Sequence, residues 1–235
     1  MTRRDELAAG LAETRERIAR ACGQADRDPD EVTLIVITKT YPATDVALLA
    51  ELGVTDVGEN RHPEAGRKLA ELADLGVTDP PRMHFVGGLQ SNKAGAVSRY
   101  ADVIHSVDRS RLVDGLSRGA IAAGRTLGCL VQVDFDTTDP GRAGAVPADV
   151  DEVAAQVAAA EGLRLDGVMT VAPLGADPAP VFAQLVQMSQ RLRSAHPEAT
   201  VVSAGMSGDL EDAVKAGATH VRVGRSVLGE RGSTR

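Results

Sequence analysis

Val32-Thr33-Leu34-Ile35-Val36-Ile37-Thr38-Lys39-Thr40-Tyr41-Pro42 opens as an apolar, β-branched run and closes on a breaker. A short run of that composition, ended by a proline that cannot continue a ladder, predicts a strand buried on both faces. Lys39 stands at its carboxyl end. Desolvation penalises an ammonium group there, lowers its pKa and makes the amine a nucleophile toward carbonyls. The plainer alternative is a strand-end lysine that reaches solvent or an acidic partner.

The same pattern recurs outward from this stretch. Apolar runs at 33–38, 56–58, 83–86, 103–106, 129–133, 165–168, 200–203 and 220–223 alternate with helical periodicities near 43–53, 62–75, 91–99, 109–124, 147–160, 178–195 and 207–217. Gly53, Gly76, Gly124, Gly162 and Gly217 fall at or near the ends of those helices, where glycine commonly stops the turn. Eight such units, with short connections and no glycine-rich turn after the first strand, predict one α/β domain over residues 1–235. The expected architecture is a closed (β/α)8 TIM-type barrel rather than an open doubly wound sheet. Ahead of it, Leu7, Leu11, Ile18 and Ala19 predict an extra N-terminal helix ending near Cys22-Gly23. Segment 134–145, which contains Asp136-Thr137-Thr138-Asp139-Pro140-Gly141, lacks periodicity and is expected to be a loop over the active face.

Composition removes several function classes. Net charge is −7 with 26 basic residues spread along the chain, which gives no footprint for nucleic acid. Aromatics are 2% with no Trp, so stacking platforms for single strands are lacking and Val, Leu, Ile and Ala must fill the core. Cys22 and Cys129 are too few and too scattered for a disulfide framework. No stretch reaches the roughly 18 apolar residues of a membrane span, and no signal-peptide pattern follows Met1, so a cytoplasmic protein is expected. The histidines at 62, 84, 105, 196 and 220 lack metal-ligand spacing, and no metal is expected.

In such a barrel function gathers at the carboxyl ends of the strands, and a phosphate commonly rests on the loops after strands seven and eight. After strand seven comes Ser203-Ala204-Gly205-Met206-Ser207-Gly208-Asp209, small enough for backbone N–H groups to approach an anion. After strand eight, Val221-Arg222-Val223-Gly224-Arg225-Ser226 places Arg222 and Gly224 on one face and the two valines on the other. Arg222 is therefore expected to point inward. Plainer alternatives exist: Ser207 as a helix cap, Asp209 and Glu211 as partners of a helix dipole, Gly224 as a turn, Arg222 paired with a core carboxylate. Asp209 itself opposes an anion at that end. Together, an amine on strand one, a phosphate cradle after strands seven and eight and an arginine beside it describe a pyridoxal phosphate pocket. The lysine would condense with the aldehyde and Arg222 would donate to the pyridine nitrogen. A permanently charged donor there keeps that nitrogen unprotonated, which makes the ring a weak electron sink.

Seven motifs, spread along nearly the whole chain, carry a resemblance. They are Thr38-Lys39-Thr40 with Pro42; Val57-Gly58-Glu59-Asn60; His84-Phe85-Val86-Gly87 with Leu89-Gln90-Ser91-Asn92-Lys93; Ile104-His105-Ser106-Val107-Asp108; Gly167-Val168-Met169-Thr170; Ser203-Ala204-Gly205-Met206-Ser207 with Asp209; and Val221-Arg222-Val223-Gly224. With them the chain resembles the pyridoxal phosphate homeostasis proteins, which look like the barrel domain of alanine racemase standing alone. The resemblance implies that Lys39 is the Schiff-base lysine and that Asn60 and His84 line the pocket. It also implies that Ser203, Ser207, Gly224 and Arg225 surround the phosphate, with Met206 among the cofactor-binding residues, and that Arg222 meets the ring nitrogen. Two positions depart from the family pattern. Gly88 stands where a histidine is frequent, and Arg225 where threonine is frequent. Asn60 as a helix-entry cap, His84 as a satisfied core histidine and Lys93 as a solvated charge are the plainer readings.

The resemblance implies a cofactor carrier that takes part in pyridoxal phosphate homeostasis, with apo forms of pyridoxal phosphate enzymes as partners. A racemase-like enzyme is the alternative. Racemisation needs a second acid–base group across the α-carbon, which in alanine racemases is a tyrosine from a following β domain. The chain stops about a dozen residues after strand eight, so no such domain and a monomer are expected, and Tyr41 is expected at the rim. A barrel that binds some other phosphorylated metabolite is the third reading.

Overall fold

β-Branched and small apolar residues build eight short strands in the computed structural model, which describes residues 1–136, 141–173 and 175–229. They are β1 (Thr33–Ile37), β2 (Asp56–Glu59), β3 (Arg82–Phe85), β4 (Val103–Val107), β5 (Leu127–Val133), β6 (Leu163–Thr170), β7 (Val201–Ser203) and β8 (His220–Val223). Each pairs in parallel with the next, and β8 pairs back to β1 from Thr33↔His220 to Val36↔Val223, so the sheet closes. This is the expected (β/α)8 barrel.

Helices run between the strands on the outside: α2 (Ala43–Glu51), α3 (Glu64–Asp74), α4 (Ala94–Val97), α5 (Ser110–Ala122), α6 (Val150–Ala159), α7 (Pro178–Ala195) and α8 (Leu210–Ala216). The extra helix α1 (Arg3–Gly23) precedes β1, capped by a reciprocal pair in which the Thr2 side chain accepts from the Asp5 N–H and Asp5 accepts from the Thr2 N–H. Its buried Leu7, Leu11 and Ile18 join Val36, Val57, Met83, Leu49 and Leu72 in one core cluster outside the barrel. Phe85, Ile104, Val131, Val168, Leu116 and Phe182 belong to a second cluster on the other side. At the outer-facing positions of the strands, then, the side chains are mostly apolar, with Glu59 at the end of β2 a buried exception. Inside, Val103, Leu130 and Met169 form a small apolar wall, while β2, β3, β7 and β8 turn polar groups inward. That division positions the site.

The differences from the sequence reading lie in the ends. β1 stops at Ile37, one residue short of the expected run, and Lys39 lies in the turn just past its carboxyl end, half-buried. Where a helix over 91–99 is expected, a 3-10 turn Ser91–Lys93 leads into the four-residue α4, which Gly95 and Ser98 do little to extend. Helix α8 begins at Leu210, after a turn over 207–209. A four-residue helix α9 (Arg225–Leu228) follows β8, and an element that short leaves no periodicity to read. Of the loop 134–145, positions 137–140 lie outside the described residues; Arg142 donates to Asp134 Oδ1 at 3.0 Å and Ala145 bridges to Val133. Among the described residues, no helix is long and apolar enough to cross a membrane.

Candidate functional site

Strand alternation places Lys39. Ile35 and Ile37 face the barrel interior, where a Cβ added at Gly58 would lie 3.2 Å from Ile35 Cγ2 and 2.5 Å from Ile37 Cδ1. Lys39 continues that face to the barrel mouth. Thr38 points the other way and is fully buried. Its hydroxyl donates to Glu59 Oε1 at 2.7 Å, and its carbonyl accepts from Lys68 Nζ at 2.8 Å. Lys68, from α3, also forms an ion pair with Glu59. Burial pushes the Glu59 carboxyl up against the pull of the Lys68 charge. Thr40 then adopts φ +69°, rare for a β-branched residue, and gives its N–H to Glu64 Oε1 at 2.8 Å. The backbone is thus anchored on both sides of Lys39, by the Lys68 ammonium at Thr38 and by the Glu64 carboxylate at Thr40.

Next to β1 is β8, with Ile35 opposite Arg222. Arg222 is 4% exposed and points inward, as its alternation requires. It donates through Nη1 to Ser203 Oγ at 2.6 Å and through Nη2 to the Thr170 carbonyl at 2.8 Å. Burial lowers its guanidinium to about 10, with Asp209 pulling the other way, so it stays protonated at neutral pH.

From Ser203 a buried chain descends through the barrel. Ser203 Oγ is 3.1 Å from His105 Nδ1, His105 Nε2 is 2.8 Å from His84 Nδ1, and His84 Nε2 is 2.8 Å from Asp56 Oδ1. One proton assignment gives every link a donor. Ser203 accepts from Arg222 and donates to His105, His105 donates to His84, and His84 donates to Asp56. Arg82, 2.7 Å from Asp56 Oδ1, closes the chain at the barrel's amino end. Burial favours the neutral Asp56 carboxyl, but hydrogen bonds from His84 and Thr55 and the Arg82 charge outweigh it, and the pKa falls to about 2. Burial and the neighbouring His84 hold His105 well below 6.5 and bring His220 to about 4.

A pH dependence follows from these shifts. Both histidines have folded values below the usual 6.5, so the stability they contribute is complete above pH 6.5. It is lost as pH falls, through about 4 for His220. Asp56 adds a further loss between 3.8 and about 2. The unfolding free energy is expected to fall below pH 6.5 by on the order of 1 kcal/mol per pH unit for each histidine. Urea midpoints measured from pH 7 to 4 check this, and His220→Gln should flatten the slope. A wild-type midpoint constant over that range would refute it.

The expected site residues do not all converge alike. Ser203 and Arg222 are joined directly. Asn60 is half-buried at the exit of β2, its Oδ1 buried without a protein partner, and the β3 exit lies so close that a Cβ at Gly87 would meet Asn60 O at 2.2 Å. That orphaned acceptor beside Lys39's strand, with a buried guanidinium two strands away, suits a polar aromatic ligand such as pyridoxal phosphate. His84 lies in the interior with both nitrogens engaged. On the loop after β7, Gly205 has φ +87° and Met206 is 39% exposed, its N–H given to Asp209 Oδ1 at 2.6 Å. Ser207 is half-buried. Gly224 lies at the junction of β8 and α9, where a Cβ would come within 3.2 Å of Ile37 O, and Arg225 is exposed at the rim.

Sequence reasoning quotes Glu59, His105 and Thr170 within motifs but gives them no role, and leaves out Asp56 and Lys68. Alternation could have placed Asp56 on the inner face of β2 with Gly58. Nothing local says that it meets His84 from the next strand.

Comparison with known proteins shows the family and the fold. The family model for the alanine racemase N-terminal domain matches residues 11–232. The pyridoxal phosphate homeostasis protein of Mycobacterium tuberculosis is 46% identical over 244 residues, covering 97% of this chain and 94% of the relative. That of Escherichia coli K12 is 34% identical over 236 residues, covering 97% of each. The structure of PipY from Synechococcus elongatus with PLP bound superposes with a TM-score of 0.81 at 34% identity, covering 95% of this chain and all of that one. An alanine racemase from Clostridium difficile shares the fold at a TM-score of 0.74 and 16% identity, covering 98% of this chain and 58% of its own.

Proposed function

We infer the role of this chain from its kinship: it belongs to the pyridoxal phosphate homeostasis protein family, built on the alanine racemase N-terminal domain, and on that premise it binds pyridoxal 5′-phosphate and takes part in homeostasis of that cofactor. When bound, the cofactor supplies an aldehyde that condenses with a primary amine. Lys39 is the proposed amine, in a turn at the mouth that Lys68 and Glu64 anchor on either side. Arg222 is the proposed donor to the pyridine nitrogen, Asn60 a polar contact at the ring, and Ser203, Met206, Ser207, Gly224 and Arg225 the surroundings of the phosphate. His84 supports Arg222 from below through His105 and Ser203. The observation that carries this reading is the buried Arg222 on the strand beside Lys39, next to two small-residue loops.

Carriage rather than catalysis is the proposed use. An arginine that stays protonated withholds a proton from the ring nitrogen, and a ring so held is a poor acceptor of carbanion electrons. The two tyrosines support no acid–base partner either. Tyr41 donates its hydroxyl to Gly229 O at 2.7 Å, while Tyr100 stands 3.2 Å from His62 Nδ1 with its pKa pushed up to about 12 by burial and by Glu59. Apo forms of pyridoxal phosphate enzymes are the proposed recipients, met by a cytoplasmic monomer. Borohydride reduction of the cofactor-treated protein, digestion and mass spectrometry should find the pyridoxyl mass on the peptide containing Lys39. An adduct on another peptide, or none under saturating cofactor, would overturn the assignment. Sustained α-proton exchange of amino acids in heavy water would favour the racemase instead.

A further inference from the structure

Helix α1 has no place in the barrel's own closure, yet it reaches both loops of the proposed phosphate cradle. Its Arg17 donates through Nε and Nη2 to the two oxygens of Glu211 on α8, at 2.7 and 2.9 Å. The same guanidinium donates through Nη2 to the carbonyl of Ser207, in the loop after β7, at 3.0 Å. Through Nη1 it reaches Ser226 Oγ, on α9, at 3.5 Å. One side chain therefore spans the two loops.

Arg3, from the first turn of α1, holds the other end of α9. It donates to the Leu228 carbonyl at 3.0 Å while its fork grips Asp45 of α2 at 2.7 and 3.2 Å. Between the two arginines α1 rests on α9 at Gly10, where any Cβ would lie 2.5 Å from Val227 O and 2.8 Å from Ser226 O. Only glycine allows that approach. A four-residue helix has too few internal hydrogen bonds to hold its own position, so α9 takes its place from what packs on it.

We propose that α1 sets the shape of the phosphate cradle, with Arg17 as the principal positioning residue and Arg3 as the second. This inference rests on the proposed cofactor site and adds what keeps its two loops in register. Arg17 touches no ligand. It fixes the Ser207 and Ser226 segments relative to one another, and so fixes where their polar groups converge. A ligand that carries a phosphate feels that spacing; one that lacks it does not.

Pyridoxal separates the two effects, since it offers the same aldehyde without the phosphate. Titration of the full-length wild-type chain should show a clear preference for pyridoxal phosphate over pyridoxal. Arg17→Ala is expected to weaken pyridoxal phosphate binding about tenfold or more, the scale of losing charge-assisted hydrogen bonds, with pyridoxal binding nearly unchanged. Arg17→Lys should recover part of the preference, because an ammonium can pair with Glu211 but cannot fork across both loops. Arg20→Ala, whose partner is the exposed Glu16 on the same helix, should behave as wild type. If Arg17→Ala does not fold, Glu211→Gln loosens the same fork and should shift the preference in the same direction. Equal losses for both ligands would mark Arg17 as a stability residue only and overturn the proposal, as would an unchanged preference. A wild-type chain that fails to distinguish the two ligands would instead overturn the phosphate cradle, and the positioning role with it.

Discussion

Lys39→Ala is expected to abolish the visible absorbance that cofactor-treated wild type should show, and to leave no pyridoxyl adduct after borohydride. The residues on either side of Lys39 have anchors of their own. Thr38 is fixed by Glu59 and Lys68, and Thr40 by Glu64. Truncation to alanine removes the amine and leaves those three backbone and side-chain contacts of its neighbours in place. Contacts at the phosphate and at Arg222 would remain, so weak, colourless binding should persist, lower in affinity by about two orders of magnitude or roughly 3 kcal/mol. Equilibrium titration with absorbance and fluorescence together reads both parts. Colour that survives in the variant would place the reactive amine elsewhere.

Lys68→Met should be the most damaging single change to stability near the site. Glu59 is fully buried, and its Oε2 has no protein partner, so the Lys68 charge is what compensates the buried carboxylate. Removing one member of such a pair costs about 3–5 kcal/mol, because the other charge is left in a poor solvent. The loss should depend on pH with a definite sign. With Lys68 gone, burial raises the Glu59 carboxyl further above its usual 4.5. The penalty is greatest at neutral pH, and the gap to wild type narrows as pH falls through the raised value. Glu59→Gln combined with Lys68→Met removes both charges and keeps an acceptor for the Thr38 hydroxyl, so it should regain most of the loss. Urea denaturation of the three proteins at pH 7 and pH 5 tests this. A Lys68→Met protein as stable as wild type at neutral pH would show that the pair contributes nothing. The same variant should also loosen the backbone ahead of Lys39, since the Thr38 carbonyl loses its donor.

Much of the barrel was legible because parallel strands covered by helices leave a strong local trace. Runs such as 220–223 and 33–37 are continuous and apolar or alternating, and the glycines between them take left-handed angles: Gly53 at +77°, Gly76 at +78°, Gly162 at +77°. Helix α7 (Pro178–Ala195) stands at the expected 178–195 because Asp177 and Pro178 start it and eighteen residues give periodicity room to repeat. The short elements were not legible. Helices α4 and α9 have four residues each, so their existence depends on the neighbours that pack against them.

The amino-acid sequence by itself determined the closed α/β barrel, the position of Lys39 at the end of its first strand and the inward aim of Arg222. Each of these follows from a repeat of two or of 3.6 residues, which is a property of neighbours along the chain. Tertiary structure alone decided which polar groups meet. Asp56, His84, His105, Ser203 and Arg222 come from five strands, and Arg17 reaches residues nearly two hundred positions away. Hydrogen bonds between such distant residues are fixed by how the sheet closes and how α1 lies across it, and no local pattern encodes a distance through space.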